Sequence, residues 1–175
     1  MKKSTLISTI AFAFVLLLTT NANAQKFAKI DVSPMDAATF KTDKDSPVIA
    51  KVIYSRPQLK GRSLEKLAPS GKVWRTGANE ATEITFFNDV TFGGKSIKAG
   101  TYSLFTIPGD SEWTIILNSD VNTWGAYSYK EANDVARVSG KVSEGSDSVE
   151  AFSITFSDGS MHLGWGKTRV AVSIK

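Results

Sequence analysis

Between Tyr54 and Thr82 the chain reads YSRPQLKGRSLEKLAPSGKVWRTGANEAT, and three of its five arginines, Arg56, Arg62 and Arg75, fall in this one stretch. A guanidinium presents a planar fork that donates two parallel hydrogen bonds to a carboxylate or phosphate. Three of them so close together could build a site for an anion or an acidic sugar. The same side chains could instead serve the fold, because Glu80 and Glu83 lie near Arg75 in sequence, and Asp134 lies near Arg137. Both uses stay open from the sequence alone.

Directly after Arg75 come Thr76, Gly77, Ala78, Asn79 and Glu80. Gly77 lets the backbone turn or approach another group closely. Asn79 can both donate and accept, and Glu80 is a candidate acid or base. Glycoside hydrolysis uses two carboxyls about 5 to 9 Å apart, and Glu80 could pair with Glu83 or Asp89. The plainer use of Asn79 and Glu80 is a polar corner in which they bond local backbone amides. Sugar rings can rest on aromatic faces, and Trp74, Trp113, Trp124, Tyr127 and Tyr129 offer such faces. Trp113 heads the alternating run Trp113, Ile115, Leu117 and belongs to the core, as does Trp165 beside Met161 and Leu163. Trp124 and Tyr127 lie outside any strand pattern. The candidate ligand-binding residues are therefore Arg56, Arg62, Trp74, Arg75, Asn79, Glu80, Trp124 and Tyr127, and Glu80 is the candidate catalytic residue.

Other chemistries lack their residues. The sequence has no cysteine and a single histidine, His162. Thiol nucleophiles are excluded, and a zinc site wants three or four His or Cys ligands. No nucleophile-elbow motif stands ready for His162, no EF-hand loop is present, and the Gly93-Gly94 pair is followed by no phosphate-loop Lys-Ser/Thr. Neither a metal nor a cofactor is expected.

The elements that must position these residues read as strands. Val48–Ser55 alternates strictly, and Ile84–Val90, Thr101–Ile107, Trp113–Asn118, Val135–Val142, Ala151–Phe156, Met161–Trp165 and Arg169–Ile174 follow. Gly93-Gly94 and Ser157-Asp158-Gly159 are hairpin turns. A helical turn fits Ser63–Leu67 with Ser63 as its cap, and a short helix fits Tyr127–Asp134. About nine short strands without a βαβ alternation predict an all-β fold, a single antiparallel β-sandwich with one long ordered loop.

The chain opens with Lys2 and Lys3, an apolar run from Leu6 to Leu18, and Ala22-Asn23-Ala24. This is the pattern of a secretory signal cleaved after Ala24, and the run is too short for the ~20 residues of a membrane span. The predicted organisation is a signal at 1–24, an N-terminal arm at 25–46 and a β-sandwich domain at 47–175. Export to the periplasm or beyond is expected, with no membrane span after cleavage. Without Lys2 and Lys3 the balance is 19 basic to 17 acidic residues, a mixed surface with no basic stripe, so no nucleic-acid partner is expected.

Several blocks together carry a resemblance: Tyr54-Ser-Arg-Pro57, Gly71 through Thr82, Ala99-Gly-Thr-Tyr-Ser-Leu-Phe-Thr-Ile-Pro108, and Trp124 through Tyr129 leading into Asp134-Val-Ala-Arg137. In that order they resemble the secreted bacterial family called domain of unknown function 2911. The resemblance implies a small exported β-rich domain and no particular reaction, substrate or cofactor. Typical members carry a bulky aromatic before Gly-Lys-Val-Trp, where this chain has Ser70; if that aromatic lines a site, the site here is more open.

Together these readings favour a non-catalytic binding module of the cell envelope for an acidic or carbohydrate-like ligand. Two alternatives stand beside it: a carboxylate-based hydrolase of envelope glycans, and an assembly protein that lends its N-terminal arm to a partner as an added strand. Oligomeric state is not legible.

Overall fold

A computed structural model describes residues 25–175; the expected export signal at 1–24 lies outside the described residues. Residues 25–30 carry no regular structure. Asp31–Lys175 forms one compact unit.

Nine strands build it: β1 Met35–Phe40, β2 Ala50–Ser55, β3 Thr82–Phe86, β4 Val90–Phe92, β5 Lys95–Ile97, β6 Gly100–Ile107, β7 Glu112–Asn118, β8 Asp134–Ser157 and β9 Ser160–Ser173. Seven form an antiparallel sheet in the order β1-β2-β3-β6-β7-β8-β9, and β4 and β5 form a small hairpin. The all-β antiparallel fold expected from the strand spacing is the one that forms. Its layers are the two ends of a single curled sheet, which wraps the main core, while Ala81, Phe105 and Ile116 form a smaller cluster apart from it.

The curl follows from strand length. Twenty-four residues of β8 would reach about 80 Å if straight, while a domain of this size has a radius of gyration of only about 15 Å. Register shifts between Glu144 and Val149 and between Val149 and Ser153 bend the hairpin of β8 and β9. Two strands expected on either side of residue 145 are thus one bent strand, and two expected in the C-terminal segment merge into β9. The polar run Ser143–Ser148 hides the continuity, because it lies on a largely exposed stretch of β8 with no apolar alternation. The turn joining β8 to β9 is plain in sequence. Asp158 at φ 49° and Gly159 at φ 66° are the two left-handed residues that a type I′ hairpin demands.

The distal end of β8 returns to β1 and to the chain running out of β2, and closes a seam. Phe152 donates its amide to Pro57 O at 2.9 Å, and Leu59 donates to Glu150 O at 3.0 Å. Beyond that point side chains replace the ladder. The buried Tyr54 hydroxyl accepts from Ile154 N at 3.0 Å and donates to Ile154 O at 3.3 Å. Arg56 donates to Phe152 O, Ser153 Oγ and Asp36 Oδ2.

Inside the curl, Trp74, Trp113, Phe152 and Trp165 pack together, with the Trp74 and Trp165 rings stacked 5.4 Å apart at 12°. The expectations for Trp113 and Trp165 hold: both are buried. The expected helical turn is α1, Leu64–Leu67, capped by the Ser63 side chain, which accepts from Lys66 N. The expected helix near residue 130 is a 3₁₀ turn, Glu131–Asn133. The segment expected as an arm contributes β1, which pairs with β2 of the same chain.

Candidate functional site

Two pins hold the long loop. At one end Trp74 exchanges both backbone hydrogen bonds with Thr106 of β6, at 2.7 and 2.9 Å. At the other, Ala81 donates to Thr123 O at 2.9 Å and Gly125 donates to Asn79 O at 3.0 Å, while Glu80 bridges Trp124. The loop is thereby zipped to the segment between β7 and β8.

Between the pins the backbone is strained. Thr76 sits at φ 56° and Asn79 at φ 59°. Asn is among the non-glycine residues that tolerate positive φ, which for a β-branched residue is a true outlier. Thr76 is fully buried and held there: its carbonyl accepts from Thr82 Oγ1 at 2.7 Å, and its hydroxyl meets Thr106 Oγ1 at 3.2 Å. Gly77 passes so close to β2 that an added Cβ would lie 3.0 Å from Ser55 O and 3.1 Å from Thr82 Oγ1. Strain held by so many contacts marks functional sites more often than ordinary loops.

The strained turn sends Arg75 and Glu80 to different sides. Arg75 and Asn79 line a cleft of about 280 Å³ together with Ser33, Pro57, Arg62, Leu67, Gly77, Ala78, Trp74 and Trp165. No carboxylate lines it. The Nε of Arg75 is buried without a hydrogen-bond partner, and the guanidinium makes no ion pair among the described residues. Arg62 is turned back on its own loop, with Nε on Leu59 O at 2.9 Å and Nη2 on Gln58 O at 2.7 Å, which leaves Nη1 free of these bonds.

Glu80 and Glu83 line a second hollow, of about 220 Å³, with Met35, Ile53, Tyr54 and Asn122. Glu83 accepts there from the Asn122 amide. Asp89 is elsewhere, ion-paired to Lys98 at 2.8 Å; Lys98 donates to it and holds its carboxyl below the usual range. Trp124 and Tyr127 are exposed, at 61% and 88% of their surfaces. Trp74 is buried in the core and forms part of the cleft wall.

The structure therefore brings Arg62, Trp74, Arg75 and Asn79 together, puts Glu80 across the ridge, and assigns Arg56 to the seam. Arg137 is structural as well. It donates from Nε to Asp134 Oδ2 at 2.6 Å and from Nη2 to the Tyr129 hydroxyl at 2.6 Å. Asn118 Nδ2 adds a bond to Asp134 Oδ1 at 2.8 Å. Tyr129, half-buried and donating to Asp134 at 2.7 Å, has its hydroxyl pushed up to about 12, first by desolvation and then by that carboxylate. This network anchors the segment between β7 and β8 against the outer sheet face. Ser70 lies away from the arginines, lining a hollow with Leu64, Ala68, Pro108 and Trp113. Ser33 of the cleft leaves no signal in sequence. Among the described residues no group of three or more His, Asp or Glu is placed to hold a metal, and no helix is long and apolar enough to cross a membrane.

A curled all-β domain with a strained, arginine-bearing loop is the class that fold and site define. The chain belongs to the family described as protein of unknown function (DUF2911), which it matches over residues 33–174. No curated protein and no solved structure matches it.

Proposed function

We propose that the protein is a binding module of the cell envelope whose cleft, centred on Arg75, takes an anionic ligand. The observation that carries this reading is the unpartnered Arg75 guanidinium, with a buried, orphaned Nε, in a cleft holding a second arginine and no carboxylate. The guanidinium has no ion-pair partner among the described residues, and an anion in the cleft would supply one, a hydrogen bond to a charged group being worth about 1.5–3 kcal/mol. The two glutamates nearest in sequence face the other hollow. Export, expected from residues 1–24, would put the cleft where envelope and extracellular anions are met.

The test is a thermal-shift titration with glucuronate, citrate and phosphate. Ligand at 100 times its Kd stabilises the folded state by about 2.7 kcal/mol. We expect at least one of these anions to raise Tm in the native protein and not in Arg75→Gln. A shift that survives this substitution unchanged would remove Arg75 from the site.

A second reading, glycan hydrolysis with Glu80 as acid or base, is favoured by one observation: Glu80 and Glu83 share a hollow. It requires a bell-shaped pH–rate profile that Glu80→Gln abolishes; activity persisting in that variant would take Glu80 out of the reaction.

A further inference from the structure

We infer that the anion is borne by a saccharide, and that binding continues from the arginine cleft across Asn79 onto Trp124 and Tyr127, which hold a neutral sugar next to the acidic one. This rests on the anion-binding reading above.

Asn79 joins the two halves of the surface. Its side chain lines the cleft, while its carbonyl takes the amide of Gly125 at 3.0 Å, so the aromatic segment begins where the cleft ends. Trp124, one residue away, bridges Glu80. A single exposed aromatic calls for no explanation. Here two stand three residues apart on backbone pinned to the loop that forms the cleft.

Gly125 leaves room for the Tyr127 ring beside its backbone. Gly125 sits at φ 66°, and a Cβ there would fall 2.7 Å from Tyr127 Cε2. One side of the ring therefore passes close to bare backbone, and the side chain is 88% exposed. A ring this exposed, three residues from the exposed Trp124, offers a face to a ligand and is not a core contact. Pyranose rings offer an apolar C–H face to such a platform and hydroxyls at the edge.

The charge pattern decides which saccharide. On the Arg75 side the lining is cationic; past the ridge Glu80 and Glu83 are acceptors that suit hydroxyls and repel a second anion. A polyanion with a charge on every residue would set one beside Glu80. The fitting ligand alternates: an acidic residue in the cleft, followed by a neutral sugar on the platform.

Isothermal titration with four probes tests this: cellobiouronic acid, cellobiose, glucuronate and digalacturonate. We expect cellobiouronic acid to bind about tenfold or more tighter than each of the others, one aromatic contact and one charge-assisted pair each being worth that order. Trp124→Ala should reduce cellobiouronic acid to the affinity of glucuronate and leave glucuronate unchanged. Gly125→Ala, which displaces the Tyr127 ring, should act in the same direction, and circular dichroism reports whether each variant is folded. Equal affinities for glucuronate and cellobiouronic acid, indifferent to Trp124→Ala, overturn the saccharide inference while the anion cleft stands. If no acidic probe binds at all, the anion-binding reading falls with it.

Discussion

At the scale of single residues, the site depends on two non-glycine positions in the left-handed region. Asn79 is the more tolerant of them, since Asn visits that region with little penalty. Replacing it with glycine keeps the backbone and removes the side chain from the cleft. Asn79→Gly is expected to leave the unfolding free energy from urea denaturation within about 0.5 kcal/mol of native and to weaken anion binding, whereas Asn79→Val should cost about 1–3 kcal/mol because a β-branched residue resists φ 59°. The residue types of this site are legible in the sequence: Arg75, Arg62 and Asn79 all stand out there as ligand-binding candidates. Their partnerships are not. Glu80 and Glu83 are natural ion-pair candidates for Arg75 by distance along the chain, and only the turn at Thr76 and Asn79 sends them elsewhere. No propensity announces a threonine at φ 56°, which is imposed by buried hydrogen bonds from β3 and β6.

At the scale of elements, the seam between β2 and β8 and the network under the segment 119–133 make separate predictions. Tyr54→Phe removes one hydroxyl and leaves both the amide and carbonyl of Ile154 without that partner. We expect a loss of about 1–3 kcal/mol in chemical denaturation with the fold retained by circular dichroism. The network responds to alkaline pH. Tyr129 ionises near pH 10 in an unfolded chain and near 12 in the folded protein. The folded state therefore keeps a proton that the unfolded state has already lost. Its contribution is whole below pH about 10 and is lost as pH rises to about 12. Tyr129→Phe should flatten the stability profile across that window. Some slope should remain, because burial also pushes the Tyr54 hydroxyl up. Most strands can be read from alternation and turn residues. The length of β8 cannot, since its middle carries no apolar periodicity and is set by pairing with β9.

At the scale of the whole molecule, the fold is complete from Asp31 onward. A chain starting at Asp31 retains every strand and is expected to unfold in one cooperative transition. A chain starting at Lys41 lacks β1, the Asp36–Arg56 ion pair and the packing of Phe40 on Phe156; its thermal midpoint should fall well below that of the longer form. Calorimetry on the two truncations checks both outcomes. The seam between β2 and β8 also has a mechanical consequence. Most neighbouring strands are joined by ladders whose bonds share a load. From Tyr54 to Ile154 the joint is a few side-chain contacts, which can break in succession. Pulled across its width, the curled sheet should unroll along this line at low force before any ladder shears, and the Arg75 cleft should part with it, because its Trp165 wall belongs to β9 and its Pro57 side is bonded to Phe152 of β8.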